Sequence, residues 1–184
     1  RPQAVAACRR VLEHEPGHVE AHLSLGDLLL KSGRFNLAVE HFREALHRVP
    51  QRREAHVALG DALLRQRRNV EAMQAFREAI RLDPDDPVPY RKLSIALTDE
   101  DLFSEAATAL VEALRLSPDH AATHHNLGLL YKGQAHNDKA IAALRRAVEL
   151  DSTYADAHYH LGQLYFRLGR YEVAEAALMV ALRH

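Results

Sequence analysis

At 184 residues, with 47% apolar and 27% charged residues, the chain has the balance of a folded globular protein with enough apolar surface to bury a core. A net charge of -1 and a pI near 7 exclude an overall field that would draw it to nucleic-acid phosphates or an anionic bilayer, so no nucleic-acid partner is expected. The single cysteine, Cys8, excludes an internal disulfide framework and a cysteine-built zinc cluster. No apolar run approaches the roughly 18 to 20 residues that span a bilayer, so membrane insertion is not expected and a cytoplasmic location is.

The opening, RPQAVAACRR, has neither a methionine nor a signal-peptide pattern, and residues 1–18 read as one helix, the second half of a truncated unit. From Val19 onward the chain repeats itself every 34 residues. Glycines fall at 26, 60, 128 and 162, with Ser94 in the remaining slot, and prolines fall at 16, 50, 84 and 118, with Ser152 ending the series. Alanines hold one column at 4, 38, 72, 106, 140 and 174, and another at 45, 79, 113, 147 and 181. Several independent columns with one spacing and no insertion mark a repeat protein.

The unit 19–52 predicts two helices. Leu25, Leu28 and Leu29 form one apolar stripe, SGRF breaks it, and Leu37, Ala38, Phe42, Ala45 and Leu46 form the second. Pro50 follows where a helix has to stop. Units 53–86, 87–120, 121–154 and 155–184 follow the same plan. The third departs most, with Ser94 for glycine, Pro87 and Pro89 at a helix start, where the first-turn N–H needs no partner, and an acidic turn at TDEDLF. Gly26 and Ala38 are expected on facing helix surfaces, small enough for axes to approach to about 8 to 10 Å.

These columns resemble the tetratricopeptide repeat. The pattern runs through His56, Leu59-Gly60, Leu63, Ala72, Phe76, Ala79 and Pro84, and again through His158, Leu161-Gly162, Tyr165, Ala174, Leu178 and Ala181. The resemblance covers the whole chain and implies an all-α fold, a right-handed superhelical solenoid of antiparallel helix pairs whose first helices line a concave groove. Such a solenoid needs polar caps. The chain starts on a second helix and stops at ALRH, so truncation at both ends, or cover by another copy, is expected.

The 13 histidines raise the question of chemistry. His22, His56, His124 and His158 share one column, completed by Tyr90, in a place where the family often carries tryptophan; the expected role is packing between helices. A metal site needs imidazoles converging within a few ångströms, and one per repeat does not supply that. His120 and His124 are four apart, but His120 lies in a turn, and HVEAH (18–22) lacks the H-E-x-x-H order. No G-x-S-x-G, phosphate-binding glycine loop or Cys-His nucleophile is present. No catalytic residue, metal or cofactor is expected, and the chain is read as a non-enzyme.

What remains is the surface that the resemblance places in the groove. The first two repeats present Glu20, Leu23, Asp27 and Lys31, then Glu54, Val57, Asp61 and Arg65, near copies that stack like charges. Each stacked pair costs roughly 0.4 kcal/mol in water at about 10 Å, partly offset by Lys31 and Arg65. The later repeats present Arg91, Lys92 and Ile95; His125, Asn126, Leu129 and Lys132; and Tyr159, His160, Gln163, Phe166 and Arg167. This half is basic, amide-bearing and aromatic, as peptide-contact surfaces are. The lysine-asparagine clamp with which some family members hold chaperone tails is poorly matched: Ile95, Asp156 and His160 stand where asparagine, lysine and arginine are needed. The basic stretches RREALHRVPQRRE and RQRRN are expected at solvated inter-repeat edges.

The expected function is a protein-protein interaction scaffold that takes an extended peptide or a helix of another protein in its groove. Two rivals are an accessory, recruiting region of a larger enzyme and a structural solenoid that self-associates end to end. Titration of the histidine column is expected to tie stability to pH near 6 to 7.

Overall fold

In the computed structural model, which describes residues 2–184, eleven helices are found among the described residues: α1 (Pro2–His14), α2 (Val19–Lys31), α3 (Phe35–Arg48), α4 (Arg53–Arg65), α5 (Asn69–Leu82), α6 (Pro87–Asp99), α7 (Phe103–Leu116), α8 (Ala121–Gly133), α9 (Asn137–Leu150), α10 (Ala155–Arg167) and α11 (Tyr171–Arg183). The fold is an all-α repeat solenoid. No helix is long and apolar enough to cross a membrane among the described residues. The helices form two compact units, one ending at Glu100 and one running from Asp101 to His184.

In the first unit each helix packs on the next, from α1 to α6, and α4 also touches α2 and α6, so the first helices of successive pairs lie side by side. The core is built from the small and large columns together. Ala38, Phe42 and Ala45 of α3, and Ala72, Phe76 and Ala79 of α5, are fully buried, with Leu25, Leu29, Leu59 and Leu63 against them. Gly26 meets the Phe42 ring first: a methyl placed on Gly26 would stand 2.5 Å from that ring. The glycine therefore makes room for an aromatic edge, and even a methyl group would overlap it.

In the second unit α7 packs on α8, and α8/α9 and α10/α11 form tight pairs with α9 lying against α10. Leu144 and Leu178 replace the phenylalanines, at 2.6 Å from a methyl placed on Gly128 and Gly162, with the carbonyls of Ala140 and Ala174 close behind. The alanine column touches the glycines here through its backbone. A core of Ala140, Leu144, Ala147, Ala157, Leu161 and Leu164 is covered by Tyr131, Tyr154 and Tyr165.

Helix starts are fixed largely by backbone rather than by side-chain caps. Asp86 accepts from Val88 N at 2.9 Å and His18 Nδ1 accepts from Ala21 N at 3.2 Å, whereas most other N-cap residues make no such bond. Helix ends close on residues with positive φ, Gly33, Arg67, Asp101, Ala135 and Gly169, spaced 34 apart. After these the chain donates back across the turn, as in Arg34 N to Leu29 O and His136 N to Tyr131 O, both 2.9 Å.

The histidine column has a definite bond. Nε2–H of His22, His56, His124 and His158 donates to the carbonyl six residues earlier, of Pro16, Pro50, Pro118 and Ser152, at 2.8 to 3.0 Å. A carbonyl only accepts, so the proton of each neutral ring sits on Nε2. These rings lash the preceding turn to the first helix. His22 is buried and the other three are half-buried. With its Nε2 proton committed, His22 offers a lone pair at Nδ1, which accepts from Nδ1–H of His41 at 2.9 Å.

Candidate functional site

Among the first helices of the first unit, the acidic residues of the groove surface are matched by arginines from the residues just ahead of the helices and by one lysine. Arg52 lies 3.8 Å from Glu20 and 3.4 Å from Glu54, bridging the stacked pair. Arg53 bonds Glu54 at 3.1 Å and also reaches Asp86 and Asp83. A hydrogen bond to its own backbone, reinforced by Arg53, holds the Glu54 carboxyl below its ordinary value. Lys92 of α6 donates to both carboxylate oxygens of Asp61 in α4, at 2.6 and 2.7 Å.

That arrangement corrects one expectation. Lys92 is not an open cation for an acidic partner, because Asp61 holds it. The Arg65 guanidinium sits 5.7 Å over the Phe35 ring. Asp27 is the acid left least satisfied: partial burial raises its pKa and the Asp61 charge adds to that, while Lys31 opposes it. Leu23, Val57 and Arg91 are half-buried, and Ile95 is at the edge of exposure. The first wall is thus close to charge-balanced within itself.

The second unit presents α8 and α10 in contact through side chains. Lys132 Nζ donates to Gln163 Oε1 at 2.6 Å and to His160 Nδ1 at 3.2 Å. The same His160 Nδ1 lies 3.3 Å from Gln163 Oε1, so the ring accepts from Lys132 in one tautomer and donates to Gln163 in the other. Burial and the Arg167 charge lower the Lys132 pKa, and burial followed by Lys132 lowers that of His160.

His125 was expected on the open groove surface, and the structure buries it at 7% exposure. The reason is crowding from α10 and the residue ahead of it. The ring stacks on His160 with centroids 5.4 Å apart, and the Tyr154 hydroxyl meets its Nδ1 at 3.3 Å. Burial, then the His160 ring, pushes its pKa down to about 4. Asn126 lies close enough to favour the protonated ring, yet neither His125 Nε2 nor Asn126 Nδ2 has a hydrogen-bond partner, and both atoms are buried. Leu129 is half-buried, and Tyr159, at 46%, and Phe166, at 61%, are the exposed apolar residues flanking Gln163 on α10. Arg167 donates to Asn137 at 2.9 Å.

Sequence reasoning gave no groove role to the residues just ahead of the first helices: His18, Arg52, Asp86, His120 and Tyr154, themselves 34 apart. Their signal was the same period. Among the described residues, no group of three or more His, Cys, Asp or Glu side chains converges as metal ligands.

Family models described as tetratricopeptide repeat match residues 1–46, 24–87 and 156–183, and one described as TPR repeat matches 136–169; together they span well over half of the chain. Against curated proteins no sequence match is found. Among solved structures, the fold is similar to TTC0263, a thermophilic TPR protein of Thermus thermophilus, at 28% identity and TM-score 0.80, covering 90% of each chain. It is also similar to MamA 41-end from Desulfovibrio magneticus RS-1, at 21% identity and TM-score 0.74, covering 90% of this chain and 93% of that one. YrrB, described as a TPR protein with an unusual peptide-binding site, aligns at 20% identity and TM-score 0.67 over 96% of this chain and 91% of its own.

Proposed function

Because the chain belongs to the tetratricopeptide repeat family and is a protein-protein interaction scaffold, we propose that it binds an extended or helical segment of another protein along its first helices. The repeats are read as 19–52, 53–86, 87–120, 121–154 and 155–184, after a lone second helix within 1–18. The binding residues are those of the groove surface: Glu20, Leu23, Asp27, Lys31, Glu54, Val57, Asp61, Arg65, Arg91 and Ile95 in the first unit, and Asn126, Leu129, Lys132, Tyr159, His160, Gln163, Phe166 and Arg167 in the second. No step of chemistry is assigned to them, and neither nucleic acid nor membrane is the partner.

One observation carries the reading. Side chains of adjacent first helices are tied to each other, Lys92 to Asp61 and Lys132 to Gln163, so each wall is held before a ligand arrives. A pre-ordered wall loses little side-chain entropy on binding. Peptides selected from a random displayed twelve-residue library, captured with a photo-crosslinking residue at Val57 or Leu129, are expected to couple there. Coupling at the exposed Val70 and Val111 of the second helices instead overturns the groove assignment.

A second reading, self-association, rests on α11, where Tyr171, Met179 and Leu182 stand 63%, 47% and 83% exposed. Light scattering that shows a monomer at high concentration removes it.

A further inference from the structure

Two buried polar atoms without partners, His125 Nε2 and Asn126 Nδ2, lie on consecutive residues of α8, close to a lysine whose bonds go only to neutral groups. Unpaired buried polar atoms are uncommon because each costs its lost hydration without return. A ligand that supplies acceptors removes that cost.

The charge balance says what kind of acceptor. Gln163 occupies in α10 the place that Asp61 holds in α4, 102 residues or three repeats earlier. Asp61 neutralises Lys92 in the first unit; Gln163 leaves Lys132 positioned and charged but without a counterion. Arg167, one helical turn past Gln163, bonds only the neutral Asn137. Among the described residues no carboxylate stands within ion-pair distance of either cation; Asp156 acts on His125 and His160 only through its field. The free donors are the third N–H of Lys132 and the amide of Gln163.

The flanks say where in a chain the acceptor sits. Tyr159, Gln163 and Phe166 share one face of α10 at i, i+4 and i+7, so exposed aromatic rings lie on both sides of the polar centre, about 10 Å apart along the axis. A C-terminal carboxylate would leave one of them uncovered.

Resting on the reading that the first helices bind a partner segment, we propose that the second unit takes the side-chain carboxylate of an internal Asp or Glu of that segment at Lys132 and the Gln163 amide, with apolar neighbours of that residue on Tyr159 and Phe166. The carboxylate replaces the missing counterion and accepts from Lys132 and from the Gln163 amide, beside the stacked rings of His160 and His125.

The test uses peptides selected from the same random twelve-residue library on the wild-type protein. Selected sequences are expected to carry an internal Asp or Glu next to an apolar residue. Binding is expected to weaken at least tenfold in Lys132→Gln, whose fold is checked by circular dichroism. It is expected to hold in Arg81→Gln, a change of equal charge on α5 at an exposed pair with Glu78, and in peptides resynthesised with an amidated C-terminus. On titration, the side-chain signals of His160 and Gln163 are expected to shift in NMR spectra.

Selected peptides that crosslink at Leu129 but lack acidic residues, or that bind Lys132→Gln as well as wild type, overturn the carboxylate proposal and leave the groove reading standing. Loss of binding on amidation points to a terminal carboxylate and overturns the internal assignment. Peptides that couple only outside the first helices overturn both.

Discussion

Gly33, Arg67, Asp101, Ala135 and Gly169 all have φ between 59° and 76°, a region that a side chain enters at a cost of roughly 1 to 2 kcal/mol. Glycine avoids that cost but gives back part of it through the freedom of its unfolded chain. Ala135 makes no side-chain bond that would be lost, so Ala135→Gly is expected to stabilise the protein by about 0.5 to 1 kcal/mol, read as a higher midpoint in urea. The pH behaviour also belongs to single residues. His125, with a folded pKa of about 4 against 6.5 unfolded, binds fewer protons in the native state between those values. Its contribution is therefore fully present above pH 6.5 and lost as pH falls toward 4. Asp156 and His160 of α10, Tyr154 ahead of it, and Asn126 and Lys132 of α8 are the groups that face it. Thermal unfolding is expected to weaken by about 2 kcal/mol across that window, and the slope to flatten in His125→Gln. His124 and His125 are adjacent in sequence, and the period put His124 in the column whose rings bond the preceding turn. It could not show that His125 is roofed by Tyr154 and His160, because those contacts come from the following helix pair.

At the scale of the helix pair, the small columns were legible and their partners were not. Periodicity marked Gly26, Gly128 and Gly162 as sites of close approach, but what approaches is Phe42, Leu144 or Leu178 from the facing helix. Side chains point back along a helix, so the residue covering a given spot is displaced from the one at its own level. Equivalent residues then differ in what the next pair adds. Leu144 is fully buried, with α10 against α9, whereas Leu178 in α11 is only partly buried, although each fills the same space beside its glycine. Leu144→Ala is expected to cost in the range of about 2 to 5 kcal/mol for a buried leucine, and Leu178→Ala roughly half as much. Chemical denaturation of the two variants measures the difference; equal losses would mean that the contact with glycine, not cover by the following pair, sets the cost.

Over the whole molecule the net charge of -1 conceals two walls with different electrostatics. From sequence the acidic side chains looked stacked and the basic ones looked available, because charges at groove positions can be counted but their pairing across helices cannot. In the first unit, Arg52, Arg53 and Lys92 answer Glu20, Glu54 and Asp61; in the second, Lys132 is held by Gln163 and His160 with no carboxylate. Removing a lysine should therefore have unequal consequences in the two places. The Lys92 and Asp61 side chains are 22% and 29% exposed, more sheltered than a surface pair, so a double-mutant cycle with Lys92→Gln and Asp61→Asn is expected to give a coupling of about 1 kcal/mol. Raising salt from 0.05 to 1 M shortens the Debye length from above 10 Å to about 3 Å, yet at 2.6 Å the pair lies inside either length, so the coupling should fall by less than half. Lys132→Gln removes a partly desolvated cation that has hydrogen bonds but no counterion and that opposes Arg167, so it should cost less stability than Lys92→Gln. If Lys132→Gln destabilises as strongly as Lys92→Gln, then Lys132 is a structural tie of the same kind, and the second wall has no charge to spare for a ligand.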